Sequence, residues 1–158
     1  MTMDNPFSSF HEAVADRLRA DEWLSALPAP RIVTERAGDI GSAIEKELGS
    51  CGLCIAVATP EFVRGGEGTP DEILVEVLVD VSERPLANRG ASGTKKVPID
   101  VASVVIACLW DARICPGFTP LLFQRSNLVA ATPERVTYEI RFQTRLRVAV
   151  VADPNPDA

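Results

Sequence analysis

Five segments of the chain have a pattern of apolar and polar positions that predicts β-strands. The most regular is 136–148, where apolar and polar residues alternate, as is typical of a strand with one buried face. Residues 72–83 alternate in the same way, and the uncharged segment 53–59 predicts a strand covered on both faces. A short strand is predicted at 31–36, and an irregular, bulged strand is predicted at 121–132.

Two helices are predicted before the first strand. Asn5 followed by Pro6 indicates a helix start, because Asn caps helices and Pro fits their first turn. Asp21 is expected to cap a second, short helix that is ended by Pro28 and Pro30. The apolar face of the first helix is expected to carry Phe7, Phe10, Val14 and Leu18.

Two longer helices are predicted in the middle of the chain. Asp39 is the expected cap of the first of them, over 38–49, and Gly49 is the expected terminating residue. Pro98 is expected to open the second, over 98–112. Their core-facing residues are Ile40, Ala43, Ile44 and Leu48 in the first, and Val101, Val104, Val105, Cys108 and Leu109 in the second.

The order of these elements predicts an α+β fold with a single mixed, mostly antiparallel sheet and helices packed on one face. Antiparallel hairpins are expected at 53–82, around the glycine-rich loop 63–71, and at 121–148. Residues 1–150 are expected to form one domain. The segment 151–158 lacks core residues and is expected to be a flexible tail.

Composition narrows the class of protein. With 158 residues, 46% of them hydrophobic and 24% charged, the chain is long and apolar enough for one folded domain. No run approaches the roughly 18 uncharged apolar residues of a membrane-spanning helix, and the N-terminus lacks the pattern of a secretory signal. We therefore expect no membrane partner, and the net charge of −6 argues against a nucleic-acid-binding protein.

Charge is divided unevenly along the chain. Residues 1–83 carry 16 acidic and 6 basic side chains, whereas residues 84–150 carry 4 acidic and 10 basic ones. One interpretation is that folding mixes the two halves in space. The other is a polar subunit whose acidic side meets the basic side of the next copy, a contact that builds rings or filaments.

No motif points to catalysis, a metal or a cofactor. The four cysteines include Cys51 and Cys54 in a CxxC spacing, but this motif runs into a predicted strand, so buried, reduced thiols are expected. The single histidine, His11, is expected at the surface or its boundary, and neither GxSxG nor a dinucleotide fingerprint occurs. We expect no enzymatic activity, no catalytic residues, no metal site and no cofactor.

The most distinctive polar feature of the sequence is a row of arginines on the outward face of the predicted strand 136–148. It is interpreted either as a solvated, edge-protecting face or as a contact surface for an acidic partner or a neighbouring subunit. The polar connection 84–96 is the second candidate, because long connections without structure of their own are often functional. The candidate interface residues are Asn88, Arg89, Lys95, Lys96, Arg141, Arg145 and Arg147.

One stretch of the sequence resembles a known family. The pattern E-R-P-x-x-N-R, followed by Gly-Thr and a helix, runs from Glu83 to Leu109. A segment ending in ELGSCG precedes it, and a final hairpin closes on VTYEIRFQTRL. Over residues 7–148 the chain resembles the tail terminator and minor tail proteins of long-tailed phages, including the prophage Gp37-like tail proteins.

The resemblance implies a structural role. Such a protein is a subunit of a hexameric ring that caps the head-proximal end of the tail tube, stops its polymerisation and contributes to head–tail joining. The implied partners are further copies of the chain, the tail tube protein and the head–tail connector protein, with DNA only passing through the ring. The implied location is the virion tail, after assembly in the host cytoplasm. The alternative is a cytosolic, non-enzymatic binding module or adaptor.

Overall fold

The computed structural model describes residues 9–66 and 71–147, and these residues form five helices and five strands. The helices are α1 (Phe10–Arg19), α2 (Glu22–Ser25), α3 (Ile40–Cys51), α4 (Pro85–Arg89) and α5 (Pro98–Leu109). The strands are β1 (Arg31–Thr34), β2 (Leu53–Arg64), β3 (Glu72–Glu83), β4 (Leu122–Ala131) and β5 (Val136–Arg147). A single 3₁₀ turn, Glu35–Ala37, follows β1.

The five strands form one sheet in the order β1-β2-β3-β5-β4. Strand β1 runs parallel to β2, and all other neighbours are antiparallel. Both predicted hairpins are present, and β4 shows the predicted bulges as two register shifts against β5. The α+β class with a single mixed, mostly antiparallel sheet is therefore confirmed.

The main core lies between one face of the sheet and helices α1 and α5. Its centre is the inward row of β3, whose valines at 75, 77, 79 and 81 are fully buried. Ile140 and Phe142 of β5 extend this layer, and Phe10 of α1 stacks on Phe118 with ring centroids 4.4 Å apart. The alternation in the sequence thus predicted the correct inward face for both strands.

Helix α3 lies on the opposite face of the sheet. Cys54 of β2 is in register with Ser82 of β3, and both point away from the main core. The guanidinium of Arg135 contacts Ser82 Oγ at 3.5 Å and Glu45 of α3 at 2.5 Å. The expected packing of helices on one face therefore holds for α1 and α5, whereas α3 covers the second face of β2, which the sequence predicted to be buried on both sides.

Several element boundaries differ from the sequence predictions. Helix α3 continues past Gly49 to Cys51, because the left-handed residue that ends it is Gly52, with φ +78°. Helix α5 ends at Leu109, and β2 extends to Arg64, where Gly65 N–H bonds to Glu72 O at 2.8 Å. The predicted helix start at Asn5–Pro6, the core positions Phe7 and Val148, and the tail 151–158 lie outside the described residues.

Candidate assembly surfaces

The arginine row occupies the outward face of β5. The inward side chains of this strand, such as Ile140 and Phe142, are fully buried, so Arg141, Arg145 and Arg147 point to the other face, as the alternation predicted. The Arg145 side chain is 49% exposed and that of Arg147 is 78% exposed, whereas Arg141 is half-buried at 24%. The two outer arginines are therefore accessible to a partner.

Each arginine of this row has a carboxylate partner within the chain. Arg141 pairs with Glu76 of β3 and, at 2.5 Å, with Glu139. These hydrogen bonds and charges raise the pKa of Arg141 further above its ordinary value. Arg145 lies 3.4 Å from Glu72, and Arg147 lies 3.3 Å from Asp71. The row is therefore a series of ion pairs between neighbouring segments, with its exposed members, Arg145 and Arg147, at one end.

The ion pairs show how the acidic first half and the basic second half of the chain are arranged in the fold. The arginines of β5 pair with acids of residues 71–76, and Arg84 and Arg135 both pair with Glu45, at 2.9 and 2.5 Å. In all of these pairs except Arg141–Glu139, a base from the second half of the sequence meets an acid from the first half. The structure thus favours the interpretation in which folding mixes the two halves.

The connection 84–96 is ordered by one buried side chain. Asn88 is 1% exposed, and its Nδ2 donates to Glu83 Oε2 at 2.6 Å and to Lys96 O at 2.9 Å. Its Oδ1 accepts from the Thr94 hydroxyl at 2.5 Å and from the Thr94 and Lys95 amides, both at 3.1 Å. All the hydrogen-bonding capacity of this amide is used inside the chain, so Asn88 organises the connection and has no free amide group to offer a partner.

This network corrects the expectation of a connection without structure of its own. Pro85 sits in the first turn of α4, where the missing N–H costs nothing, and the turn after α4 closes on Asn88. Glu83, Asn88 and Thr94 belong to the pattern that carries the family resemblance. In this chain, those pattern residues therefore build a rigid loop.

The other three candidates of the connection line a groove of about 410 Å³ beside the start of α5. Arg89 and Lys95 are exposed on its rim, and neither has a carboxylate partner among the described residues. Lys96 is held differently, because its Nζ donates to Ala26 O at 2.7 Å and Pro28 O at 3.1 Å. Partial desolvation lowers the pKa of Lys96. The remaining lining consists of the buried polar pair Glu83 and Asn88 and of apolar residues: Val97, Pro98, Ile99, Val136 and Tyr138.

A second accessible surface is the edge strand β4. It is the last strand of the sheet, and nearly all of its residues are exposed. Leu122, Leu128 and Val129 are each about half exposed. The two bulges and Arg125 interrupt the edge, as is common where proteins avoid uncontrolled strand pairing.

The thiols lie in surroundings that disfavour the reactive thiolate. All four cysteines are free, with Cys51 and Cys54 buried and the other two half-buried. Burial raises the pKa of Cys54 to about 12 and that of Cys108 to about 11. The CxxC motif is split between the end of α3 and the start of β2, so it runs into a strand as the sequence predicted.

His11 and the acidic residues do not assemble a metal centre in the described residues. His11 is buried, contrary to its expected place at the surface, because the inner face of α1 brings its Nδ1 to 3.3 Å from Glu35. Within 9–66 and 71–147, no three His, Cys, Asp or Glu side chains group so as to hold a metal ion. No helix in the same ranges is long and apolar enough to cross a membrane.

Comparison with known proteins gives a match among solved structures. No family model matches the chain, and no curated protein matches it. Among solved structures, the chain is similar to a chain of the "Virion of native gene transfer agent (GTA) particle". That match has a TM-score of 0.62 at 17% identity and covers 91% of this chain and 98% of the other. The two chains share their fold over nearly their whole length.

Proposed function

We propose that this chain is a structural protein of a phage-like particle, and specifically a tail terminator subunit that caps a tail tube as a ring. The observation that carries the proposal is the fold match with a chain of a gene transfer agent virion, which is nearly complete in both directions. The resemblance of Glu83 to Leu109 to phage tail proteins supports the same class independently of the fold.

The geometry of the surface supports a role as a building block. A ring requires that one surface of each copy contact a different surface of the next copy. The groove beside α5, the exposed end of the arginine row and the edge of β4 are separate accessible surfaces of this chain. We propose that the protein acts through these surfaces, without catalysis, and that its partners are further copies, the tube protein and the head–tail connector.

The proposal is tested by images of the assembled protein and by reversing the exposed end of the arginine row. Negative-stain electron microscopy of the full chain, alone and with a cognate tube protein, should show rings, six-fold by the family resemblance. The double variant Arg145→Glu, Arg147→Glu should fold, because exposed ion pairs contribute only about 0–1 kcal/mol each, but should lose the rings.

The matched control reverses two exposed bases elsewhere, Arg36→Glu and Lys46→Glu, and should retain the rings. Rings in the arginine-row variant would remove that row from the interface. A stable one-to-one complex with a partner, without rings in any condition, would instead support the adaptor.

A further inference from the structure

We propose that the groove beside α5 binds the acidic C-terminal segment 148–158 of a neighbouring copy of this chain. The inference rests on the assembly proposed above and names a contact that would join one copy to the next. Residues 148–158 lie outside the described residues. Their sequence, the point where the described chain ends, and the groove itself support the contact.

The groove offers an apolar lining under a basic rim. Val97 and Ile99 are 53% and 54% exposed, which is unusual for large aliphatic side chains placed side by side on a loop and a helix start. Val136 and Tyr138 of β5 complete the apolar lining, and Arg89 and Lys95 supply two positive charges. The lining also includes Lys96 and the carboxylate of Glu83, which is buried and accepts a hydrogen bond from Asn88 Nδ2. A ligand that matches this surface has apolar side chains next to carboxylates, and no basic residue.

The rim is held in place before any partner binds. The Lys95 amide donates both to Asn88 O at 3.0 Å and to Asn88 Oδ1 at 3.1 Å, and Lys95 adopts a left-handed φ of +60°. Because Asn88 is buried and fully bonded, the backbone beneath both rim residues is fixed. A preformed site loses less conformational entropy on binding than a mobile loop would.

The C-terminal segment has the matching chemistry. Residues 148–152 are all apolar, Asp153 and Asp157 follow, and the segment contains no Lys or Arg. Its two carboxylates correspond in number to the two rim bases that have no carboxylate partner. Charge complementarity of this kind selects the partner and fixes the register of a contact.

The length of the chain indicates a neighbouring copy as the donor. The described chain ends at Arg147, whereas the groove lies beside Tyr138, nine residues back along the same strand, or about 30 Å. Asp153 follows Arg147 by six residues, which span at most about 21 Å when fully extended. Asp153 therefore cannot reach the groove of its own chain, whereas Asp157, ten residues after Arg147, spans about 35 Å when fully extended. The two aspartates can thus occupy one groove together only when that groove belongs to another copy.

The direct test measures binding of a labelled peptide with the sequence of residues 146–158. The acceptor is the full chain carrying Asp153→Lys and Asp157→Lys, so that its own tails do not compete. Fluorescence anisotropy should show saturable binding that weakens with salt. Adding Arg89→Ala and Lys95→Ala to the acceptor removes the rim charges without attracting its own lysine-bearing tails, and should weaken binding about tenfold or more, while Arg36→Ala and Lys46→Ala should not. No binding, or equal binding to both acceptors, would overturn the inference.

A charge swap in the full chain completes the test. Reversing only the rim bases or only the two aspartates should weaken assembly, and combining the four reversals should restore it. Rings that persist undiminished in both double variants would overturn the inference and leave the proposed function intact. If the chain proved monomeric but its groove bound the peptide in a way that depended on salt and on the rim bases, the proposed ring would be contradicted. The groove would still be a binding site for this segment.

Discussion

Gly52 lies directly against the backbone of Asn88. A Cβ at Gly52 would stand 2.1 Å from Asn88 N and 2.4 Å from Asn88 Cα, and the residue has φ +78°. The end of α3 and the second half of α4 can approach this closely only because position 52 has no side chain. The ordered connection 84–96, and with it the rim of the groove, therefore depends on this glycine.

Gly52→Ala should destabilise the chain by at least about 2 kcal/mol, because strain in the left-handed conformation adds to a clash with backbone. The free energy of unfolding in urea measures the effect. The control is Gly66→Ala, where a Cβ meets nothing within 4 Å, and it should change stability by no more than about 0.5 kcal/mol. Equal effects of the two substitutions would show that the contact is unimportant.

Asn88→Ala should cost about 3 kcal/mol, because it leaves the buried Glu83 carboxylate and the Thr94 hydroxyl without this partner. Asn88→Asp should destabilise the chain at least as much, since it replaces the amide donor that faces Glu83 by a second carboxylate oxygen. Denaturant unfolding of both variants measures the loss, with the exposed Asn127→Ala on β4 as control. A stable Asn88→Asp variant would contradict the described hydrogen bonds.

Phe142→Ala should destabilise the domain by about 3–5 kcal/mol, since its ring is fully buried between β5 and the helices. The half-exposed Phe62 provides a comparison, and Phe62→Ala should cost clearly less. Thermal unfolding of the two variants should therefore rank them in this order. The reverse order would contradict the assignment of the inward face of β5.

The free energy of unfolding is expected to depend on pH through the carboxyl group of Asp80. Burial, and secondarily the nearby charge of Glu139, raise the pKa of Asp80 from 3.8 to about 6, and its buried Oδ1 has no hydrogen-bond partner. Between about pH 4 and 6 the folded chain holds this proton more tightly than the unfolded chain. The contribution of Asp80 to the free energy of unfolding therefore falls as pH rises through that interval.

Asp80→Asn should thus stabilise the chain by about 1–2 kcal/mol at pH 7, allowing for the partial exposure of the carboxyl, and by little at pH 3.5. Urea unfolding at a series of pH values measures the difference from the unsubstituted chain. The control Asp111→Asn replaces an exposed aspartate at φ +61°, which Asn tolerates, and should leave the pH profile unchanged. A difference that does not vary between pH 3.5 and 7 would contradict the role of Asp80.

The strands could be predicted because their pattern is local. A period of two over 72–83 and 136–148 specifies which side chains face inward, and the structure pairs these two segments along their full lengths. The end of α3 could not be predicted in this way, because nothing within the helix distinguishes Gly49, the expected end, from Gly52, the observed one. It depends on how closely α4 approaches, which no pattern within the helix records.

The candidate surfaces were predicted less well, for a physical reason. The polarity of Asn88 suggested an exposed residue, but its burial depends on Glu83 and Thr94, which supply partners only after the chain has folded back. The nearby glycines were the signal in the sequence that Asn88 is closely packed. A Cβ at Gly93, like one at Gly52, would clash with Asn88, at 2.0 Å from its carbonyl oxygen. Likewise, the alternating pattern of β5 predicted that the arginines point outward. Their pairing with residues 71–76 could not be predicted, because it depends on the register between β3 and β5.

The central claim is that this chain is a building block of a ring, and its mass in solution tests that most directly. Light scattering coupled to size exclusion should give a closed oligomer, six copies by the family resemblance, each of 17.0 kDa, either for the chain alone or when a cognate tail tube protein is present. A single copy of 17.0 kDa at high concentration, with the tube protein present as well, would contradict the account.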